Sequence, residues 1–291
     1  MREGTPAQLD AAYRACRRMQ RRHDPTYYWA TRRLPRHLQP AVHALYGFVR
    51  GADELVDGPS RPPTPEARRS ALDSWQAALE DGLARGRSNH PVIAALVDAA
   101  DRYGLPIESE LRAYMRSMRV DCGPVRIATR SELDAYMRGS AGSVGAIMAP
   151  LLGAPPELQG AFVHLGVAFQ LTNFIRDVRE DYDLDRVYLP RDARERFAVD
   201  DEDLARPRAT EGVRALLAEE VSRARRLFAD TSAAVDGALP QVRPGMRMAR
   251  AVYVRVLDRI EAIGFDVLGR RAGLAPWEVG PTAVRSLVAP R

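Results

Sequence analysis

Two short segments carry acidic side chains at helical spacing, and they are the clearest candidates for chemistry in the sequence. In YGFVRGADELVD, the side chains of Tyr46, Arg50, Asp53 and Asp57 follow the spacing i, i+4, i+7 and i+11, which places all four on one face of an α-helix. Two carboxylates separated by about 6 Å repel by roughly 3 kcal/mol at an effective dielectric constant near 20. A helix with only a structural role gains nothing from this arrangement.

The second segment, NFIRDVRED, repeats the pattern directly after an apolar run. Asn173, then Arg176 or Asp177, then Glu180 or Asp181 follow the spacing i, i+3/4 and i+7/8. A divalent cation would remove the repulsion between the carboxylates, and Mg²⁺ prefers oxygen ligands while taking phosphate oxygens as its remaining ligands. Arg50 and Arg176 suit the same phosphates, because a guanidinium group donates two parallel hydrogen bonds.

A single Asp-x-x-x-Asp pattern on a helix is most often a solvated surface. In this sequence two such patterns occur more than 100 residues apart, and each has an arginine within an otherwise apolar helix. Their coincidence favours a site for magnesium and a diphosphate over two unrelated charged faces.

The composition narrows the classes of function. The 291 residues include no lysine, so all 43 basic residues are arginine, which excludes a lysine Schiff base and a P-loop. The arginines are scattered and offset by 38 acidic residues, so we predict no binding to nucleic acid. Cys16 and Cys122 are too few for a disulfide framework or a zinc site. With no apolar signal region and no membrane-spanning run, we expect a cytoplasmic protein.

The elements that must position these side chains are helices. Apolar residues recur at helical period, Pro and Gly interrupt the long segments, and alternating strand-like runs are scarce. We predict a single all-α domain over residues 1–291, with its helices packed around a shared interior. The predicted helices cover 7–22, 25–33, 38–56, 65–85, 91–103, 107–119, 131–152, 156–182, 211–237 and 243–273.

The segments HALYGFVRGADELVD and GVAFQLTNFIRDVREDYDLDRVYLPRD resemble the two signature regions of the squalene/phytoene synthase family, with bacterial phytoene synthases the most similar members. TYYWATRRLP, YMRGSAGSVGAIMAPLLG and ARAVYVRVLDRIEAIGFDVLGRR extend the resemblance, in the family's order, over nearly the whole chain. The pattern NxxRDxxED followed by RxYLP is highly specific.

The resemblance implies an all-α isoprenoid synthase fold with a central apolar cavity, and an enzyme that joins two prenyl diphosphates head to head. For a phytoene synthase, two geranylgeranyl diphosphates give phytoene through prephytoene diphosphate, with a final proton loss. The resemblance implies Mg²⁺ as cofactor, with Mn²⁺ as a substitute, and no NADPH. It also implies prenyl diphosphate substrates and, because the product is lipophilic, a peripheral contact with the membrane.

The resemblance also assigns residues one by one. The expected metal ligands are Asp53, Asp57, Asn173, Asp177 and Asp181. The four aspartates among them and Tyr136 form the expected catalytic set. The expected diphosphate-binding residues are Arg50, Arg176, Arg270, Tyr46, Gln170 and Tyr253. Phe48, Phe169 and Phe174 are candidates for stabilising a carbocation through their ring faces, although each is more often simple core.

Several features leave alternatives open. Asp24-Pro25 replaces the family's more usual polar or basic pair, and Gly51 stands where a larger residue is common, which could widen the cavity. The roles of Glu54 and Glu180 are open. The rival functions are condensation of two farnesyl diphosphates, cyclisation of one prenyl diphosphate, and a helical binding module without catalysis. Substrate chain length and oligomeric state are not determined by the sequence. The glycine-rich GSAGSVG, at 139–145, indicates close helix packing or room for a prenyl chain.

Overall fold

The structure is a computed structural model, and it describes residues 6–270 together with 272 and 273. Within these residues the regular secondary structure is almost entirely helical, which confirms the all-α prediction. The α-helices are α1 (Pro6–His23), α2 (Pro25–Thr31), α3 (Gln39–Val56), α4 (Pro65–Arg85), α5 (Pro91–Tyr103), α6 (Ile107–Val120), α7 (Arg130–Met137), α8 (Ser143–Leu151), α9 (Gln159–Arg176), α10 (Val178–Asp183), α11 (Arg191–Arg196), α12 (Asp201–Ala205), α13 (Glu211–Asp230), α14 (Ser232–Gly237) and α15 (Arg243–Ala262).

Proline and glycine set several helix ends. A proline is the first residue of α2, α4 and α5, where its missing N–H costs nothing. The Thr64 hydroxyl caps α4 by accepting a hydrogen bond from the Ala67 N–H. Gly86 and Gly104 end α4 and α5 in the left-handed conformation, with φ of 64° and 61°. The first six predicted helices are therefore confirmed to within about two residues, the usual uncertainty of helix ends.

Two later predicted helices are not regular α-helices throughout. The predicted helix 156–182 begins as a 3-10 turn, Pro156–Leu158, and is broken at Asp177. The predicted helix 131–152 contains a π-helical turn, Arg138–Gly142, between α7 and α8. Such local breaks redirect the chain without a Pro, so periodicity alone does not reveal them.

Two further boundaries were wrong. The predicted helix 211–237 is interrupted at Thr231, and the predicted helix 243–273 ends at Ala262, before Gly264 with φ of 65°. The segment 183–210, for which no helix was predicted, contains α11 and α12. A single domain over 1–291 remains a prediction.

A very short parallel sheet, which the sequence analysis missed, joins distant parts of the chain. Strand β1 (Val125–Arg126) follows α6, and strand β2 (Arg186–Val187) follows α10. The Val125 N–H donates to the Asp185 carbonyl at 3.0 Å, and the Ile127 N–H donates to the Val187 carbonyl at 3.2 Å. This pairing holds the chain after the second acidic segment against the end of α6.

The helices pack as two groups that share α6. Helix α3 lies against α1, α4 and α5, whereas α9 lies against α8, α13, α14, α15 and the π-helical turn. Helix α6 packs against both α3 and the π-helical turn, so it connects the two groups. The two acidic segments therefore sit on different groups, at the ends of α3 and α9.

Glycines allow α9 to approach its neighbours closely, which confirms the packing interpretation of GSAGSVG. A Cβ atom at Gly145 would collide with the backbone carbonyl of Phe162, and one at Gly166 would collide with the carbonyl of Ala141. Backbone atoms cannot rotate aside as side chains can, so these two positions tolerate no larger residue without a shift of α9.

We expect Gly145→Ala to lower the free energy of unfolding by about 1–3 kcal/mol, because its methyl group overpacks the contact between α8 and α9. Urea unfolding followed by circular dichroism measures this change. Gly160→Ala is the matched control, since nothing lies within 4 Å of its Cβ position near the start of α9; alanine there should stabilise the protein by up to about 1 kcal/mol. Equal stability of the two variants would contradict the close-packing account.

Candidate active site

The first acidic segment lies along the last turns of α3. Asp53 is partly buried, and the Tyr114 hydroxyl of α6 donates hydrogen bonds to Asp53 Oδ1 at 2.9 Å and to the Val49 carbonyl at 3.2 Å. Burial raises the pKa of Asp53 to about 6, and the charges of Asp57 and Asp121 act in the same direction. The hydrogen bond from Tyr114 and the charge of Arg50 oppose this rise. Asp57 follows as the C-terminal cap of α3.

The second acidic segment spans a break between two helices. Asp177 ends α9 and begins α10 with φ of −101° and ψ of 17°. Its N–H still donates to the Asn173 carbonyl at 2.8 Å, and the Asp181 N–H donates to the Asp177 carbonyl at 2.8 Å. The four-residue interval between these side chains is therefore kept across the break, as the sequence spacing required.

Asp181 has a strongly raised carboxyl pKa. Burial and the neighbouring charge of Asp177 raise it to about 8, although the charge of Arg186 opposes the shift. A carboxylate in this position lacks enough positive charge around it to stay ionised at neutral pH. Bringing a cation to the site would supply that charge.

Arg186 joins the two segments. Its side chain, only 7% exposed, donates from Nη1 to Asp57 Oδ2 at 3.0 Å and from Nη2 to Asp57 Oδ1 at 2.5 Å. Nη2 also donates to the backbone carbonyl of Asp121 at 2.7 Å. Arg186 lies in β2, just after Asp181, so this contact ties the end of α3 to the chain that follows α10. The structure thus brings the two acidic segments to one place.

Asp121 is the centre of a buried hydrogen-bond network beside this bridge. The Tyr136 hydroxyl donates to Asp121 Oδ2 at 2.5 Å, and the Tyr188 hydroxyl donates to Asp121 Oδ1 at 2.7 Å. Burial raises the pKa of Asp121 to about 6, although both hydrogen bonds and the charge of Arg186 lower it. The network fixes the orientation of the Tyr136 ring, the one expected catalytic residue that is not acidic.

Aromatic rings line the same region. Phe174 stacks on Tyr188 with 4.0 Å between ring centroids, and Tyr136 lies 5.9 Å from Phe174. Phe169 lies 4.3 Å from Tyr253 of α15. Phe174 and Phe169 therefore remain candidates for stabilising a cation, because their rings accompany site residues.

Phe48 and Gly51 belong to a different contact. Phe48 is fully buried and stacks on Trp75 at 5.4 Å. A Cβ atom at Gly51 would lie only 2.6 Å from Trp75 Cζ2. The expectation that Gly51 widens the cavity was wrong, because the Trp75 side chain fills the space that a larger residue would take. Phe48 is core.

The arginines of the two segments are paired with carboxylates of their own segments. Arg50 Nη2 donates to Glu54 Oε1, and the Arg50 Nε is buried without a hydrogen-bond partner. Arg176 donates from Nε to Asp177 Oδ1 at 2.6 Å and from Nη2 to Asp177 Oδ2 at 2.5 Å. In these pairs the arginine and the carboxylate neutralise each other. An incoming phosphate would compete for the arginine, and a cation would compete for the carboxylate.

The tyrosines and the amide predicted for the site lie on the surrounding helices. Burial raises the pKa of the Tyr253 hydroxyl, whereas the positive charge of Arg176 and a hydrogen bond with Asn173 lower it. Burial also raises the pKa of Tyr46 to about 12, and its ring lies 6.1 Å from Tyr27 of α2. Gln170 is partly buried on α9, one turn before Asn173.

Asp24 caps α2 by accepting a hydrogen bond from the Tyr27 N–H at 2.8 Å. Its negative charge also raises the pKa of Tyr46 and of Tyr253. The loop whose Asp24-Pro25 pair departs from the family pattern therefore lies at the edge of the site.

The residues present fit an oxygen-coordinated divalent cation. Asn173 Oδ1 is buried and has no hydrogen-bond partner, so an acceptor is available at the centre of the second segment. Asp181 and Asp53, with raised pKa values, lack compensating charge. Within the described part of the chain, however, no three Asp, Glu, His or Cys side chains converge closely enough to hold a metal ion. The full ligand set stays a prediction.

Arg270 makes no contact with the acidic segments among the described residues. It is exposed, and the preceding Gly269 packs beside Pro207 and Arg208. Its role in diphosphate binding stays a prediction.

Sequence reasoning missed Tyr114, Asp121, Arg186 and Tyr188. Arg186 and Tyr188 belong to the RxYLP pattern that the resemblance rests on, and that pattern was the available signal for them. Tyr114 and Asp121 carry no local signal, because their partners are distant in sequence.

Two hollows differ in whether they include the predicted residues. A groove of about 1250 Å³ runs along α5, between the ends of α4, α6 and α1, and its lining includes none of the expected site residues. A small hollow beside Asp181 is lined by Phe174, Arg186 and Tyr188, among others. The chemistry of the side chains, not the size of the groove, identifies the candidate site.

Comparisons with known proteins show the family of the chain. The family model described as Squalene/phytoene synthase matches residues 20–278. A phytoene synthase from Thermus thermophilus is 38% identical over 274 residues, covering 94% of this chain and 91% of the relative. A 15-cis-phytoene synthase from Synechocystis is 34% identical over 280 residues, covering 91% and 81%.

Solved structures show the same fold. A squalene synthase from Alicyclobacillus acidocaldarius aligns with a TM-score of 0.81 and 28% identity, covering 90% of this chain and 97% of that one. A ligand-bound dehydrosqualene synthase aligns with a TM-score of 0.88 and 23% identity, covering 96% of each chain. At that identity the second likeness shows the fold alone.

We expect Asp181→Asn to change how stability depends on pH in the metal-free protein. The folded-state pKa of Asp181 lies above its ordinary value, so the folded state holds a proton that the unfolded state has lost. Stability must therefore fall as the pH rises from about 5 to 8, with a slope of up to about 1.4 kcal/mol per pH unit from this group.

Urea unfolding at several pH values, with a chelator present, measures that slope. The Asn variant should lose this contribution and be the more stable protein at pH 8. The matched control is Asp10→Asn on the exposed side of α1, which should leave the slope unchanged. Identical slopes for wild type and Asp181→Asn between pH 6 and 8 would show that Asp181 is an ordinary solvated carboxylate.

Proposed function

The chain belongs to the squalene/phytoene synthase family, and from this premise we propose that it condenses two geranylgeranyl diphosphates head to head into phytoene, through prephytoene diphosphate. The reaction class is that of a prenyltransferase, and the resemblance on which the sequence analysis relied is confirmed. The choice of geranylgeranyl diphosphate is supported by relatives named phytoene synthase, which are 32–38% identical over most of the chain.

The observation that carries the proposal is the meeting of the two acidic segments at Arg186. Asp57 of the first segment is held by Arg186, which follows closely after Asp181 of the second. Arg186 balances only part of the negative charge of these carboxylates, because the pKa of Asp181 stays raised beside it, so further positive charge is favourable there. A diphosphate with its cations is a ligand that supplies both this charge and the phosphate oxygens.

The proposed division of labour follows from the chemistry of the donors. Asp53, Asp57, Asn173, Asp177 and Asp181 would hold Mg²⁺, or Mn²⁺ in its place. The bound ions would stabilise the charge that develops on the departing diphosphate. Asp181 has to release its proton before it can coordinate a cation, because its pKa is about 8 without one.

The arginines have to change partners when substrate binds. Arg50 is paired with Glu54, and Arg176 with Asp177. A diphosphate offers paired oxygen acceptors and carries more negative charge than a carboxylate, so it can compete for both guanidinium groups. Transfer of Arg176 to the diphosphate would free Asp177 for a cation, so that substrate and metal favour each other's binding.

The remaining residues orient the prenyl chains and keep water away. Tyr136 is held by its hydrogen bond to Asp121, with Phe174 and Tyr188 packed against its ring. Aromatic faces stabilise a neighbouring carbocation without offering a nucleophile. Loss of a proton completes the proposed reaction, which therefore uses no NADPH.

The rival functions are less well supported. Condensation of two farnesyl diphosphates keeps the same site, and a solved squalene synthase at 28% identity shares the fold. The cyclase alternative rested on a cavity widened at Gly51 and on the altered Asp24-Pro25 loop, and Trp75 removes the first of these supports by filling that space. The non-catalytic binding module conflicts with the family, whose characterised relatives are named as enzymes.

Product analysis tests the proposal. Purified protein with Mg²⁺ and geranylgeranyl diphosphate, without NADPH, should give a C40 hydrocarbon identical to phytoene by mass and retention. A C30 product made only from farnesyl diphosphate would show that farnesyl diphosphate is the substrate. A cyclic C20 hydrocarbon would show that the reaction is a cyclisation. No release of diphosphate from either substrate would reject the enzyme.

Two variants test the assigned carboxylates in the same assay. Asp53→Ala and Asp177→Ala should each lower kcat by about 10²–10³-fold or more, because each removes a group that positions charge around the leaving diphosphate. Asp10→Ala on exposed α1 is the matched control and should keep the wild-type rate. Near-normal rates from both site variants, with helical content unchanged, would refute the assignment.

A further inference from the structure

The positive charge of the chain is concentrated near its start. Between residues 11 and 52 the sequence has nine arginines and a single carboxylate, Asp24, which gives this segment a formal charge of +8. The whole chain carries +5, so the rest of the molecule is acidic overall, at −3. The arginines are interspersed with acidic residues elsewhere, but here they are not.

The arginines of this segment are on the surface. All except Arg50 are exposed, and among the described residues the ion pairs to carboxylates do not include them. Between them lies Trp29, whose side chain is 62% exposed. We call this the arginine–tryptophan surface, and it consists of Trp29 with Arg14, Arg17, Arg18, Arg21, Arg22, Arg32, Arg33 and Arg36.

Contacts between α1 and α2 bring these side chains together. Arg17 of α1 donates to the Tyr28 hydroxyl from Nε at 3.3 Å and from Nη2 at 3.2 Å. Hydrogen bonds from Arg17, and also from Arg32, lower the pKa of Tyr28, so the two arginines flank one hydroxyl. The Tyr28 ring meets the Trp29 ring edge to face at 5.9 Å.

The remaining members follow from helical spacing. Arg32 lies three residues and Arg33 four residues after Trp29, which places them on the same side of the short helix α2 and the turn that ends it. Arg14, Arg18 and Arg22 recur every four residues and form a stripe along α1. A single exposed tryptophan has little meaning by itself, but this one stands within a field of eight unneutralised guanidinium groups.

We propose that the arginine–tryptophan surface docks the protein on membranes that contain anionic phospholipids. Guanidinium groups bind phosphate headgroups through paired hydrogen bonds, and clustered basic side chains are attracted to an anionic leaflet. An indole ring is favoured at the boundary between headgroups and acyl chains. Single-stranded nucleic acid is the less suitable partner, because its binding proteins offer a series of stacking aromatics along a groove.

The surface adjoins the candidate active site through α2. Tyr27, two residues before Trp29, packs its ring 6.1 Å from that of Tyr46 on α3. One short helix therefore separates the proposed membrane contact from the acidic segments. No helix of the described chain is long and apolar enough to cross a bilayer. The proposal rests on charge and exposure, so it holds whichever prenyl diphosphate is the substrate.

Vesicle co-sedimentation tests the proposal with the full chain. We expect binding to vesicles of equal parts phosphatidylglycerol and phosphatidylcholine at low salt, weaker binding at high salt, and little binding to pure phosphatidylcholine. Equal binding to both vesicle types would overturn the proposal. So would binding to duplex or single-stranded DNA that outcompetes anionic vesicles at the same salt, since it would indicate a nucleic-acid surface.

Charge-matched variants locate the contact. Arg22→Gln with Arg33→Gln should weaken partitioning into the anionic vesicles by roughly ten- to thirtyfold, from about 1 kcal/mol for each arginine near the surface. Arg87→Gln with Arg116→Gln removes the same charge at exposed positions elsewhere and should change partitioning by less than about twofold at the same salt. Equal losses from the two pairs would mean that net charge alone drives binding, which would contradict the proposed surface.

Trp29 provides an independent readout. Its fluorescence, taken as the difference between wild type and Trp29→Phe, should shift to shorter wavelength when anionic vesicles are added, because the ring leaves water. Trp29→Ala should weaken binding several-fold, most clearly at high salt where the ionic contribution is screened. An unshifted difference spectrum on bound vesicles would show that Trp29 stays in water and would overturn its part in the contact.

Discussion

The ion pair between Arg186 and Asp57 is the contact on which the candidate site depends. It links residues that are 129 positions apart in the sequence, and it is held in place by the pairing of β2 with β1. The same guanidinium group binds the backbone carbonyl at the end of α6. The two helix groups, which also meet along α6 and between α2 and α15, are linked by this contact beside the acidic segments.

Within this frame the site neutralises its own charges. Arg50 and Arg176 are paired with carboxylates of their own segments, while burial and the charge of Asp177 outweigh the opposing charge of Arg186 and raise the pKa of Asp181 to about 8. Each of these arrangements is replaceable by a ligand of the right charge. A diphosphate can bind the arginines. The carboxylates that the arginines release can then bind the cations that accompany the diphosphate. The site thus favours a metal–diphosphate pair because the basic side chains beside its buried carboxylates do not fully neutralise them.

The sequence predicted the parts of the site that obey local periodicity. Asp53 and Asp57 lie on α3 where the helical spacing placed them, and Asn173, Asp177 and Asp181 keep their four-residue interval although the helix breaks at Asp177. Tyr114 and Asp121 were not predictable in this way, because their partners lie on other helices and no repeat links them. Gly51 illustrates the same limit. An absent side chain suggested open space, but Trp75, distant in the sequence, occupies it.

The central claim is that the two acidic segments form one binding site for cations and diphosphate. It is tested most directly by calorimetric titration of inorganic diphosphate, in the presence of Mg²⁺, into wild type, Asp53→Asn, Asp181→Asn and the double variant. A shared site predicts that each single change weakens binding and that the double change costs less than their sum, with a coupling of about 0.5–3 kcal/mol. Strictly additive losses, or binding that survives in either single variant at wild-type strength, would contradict it.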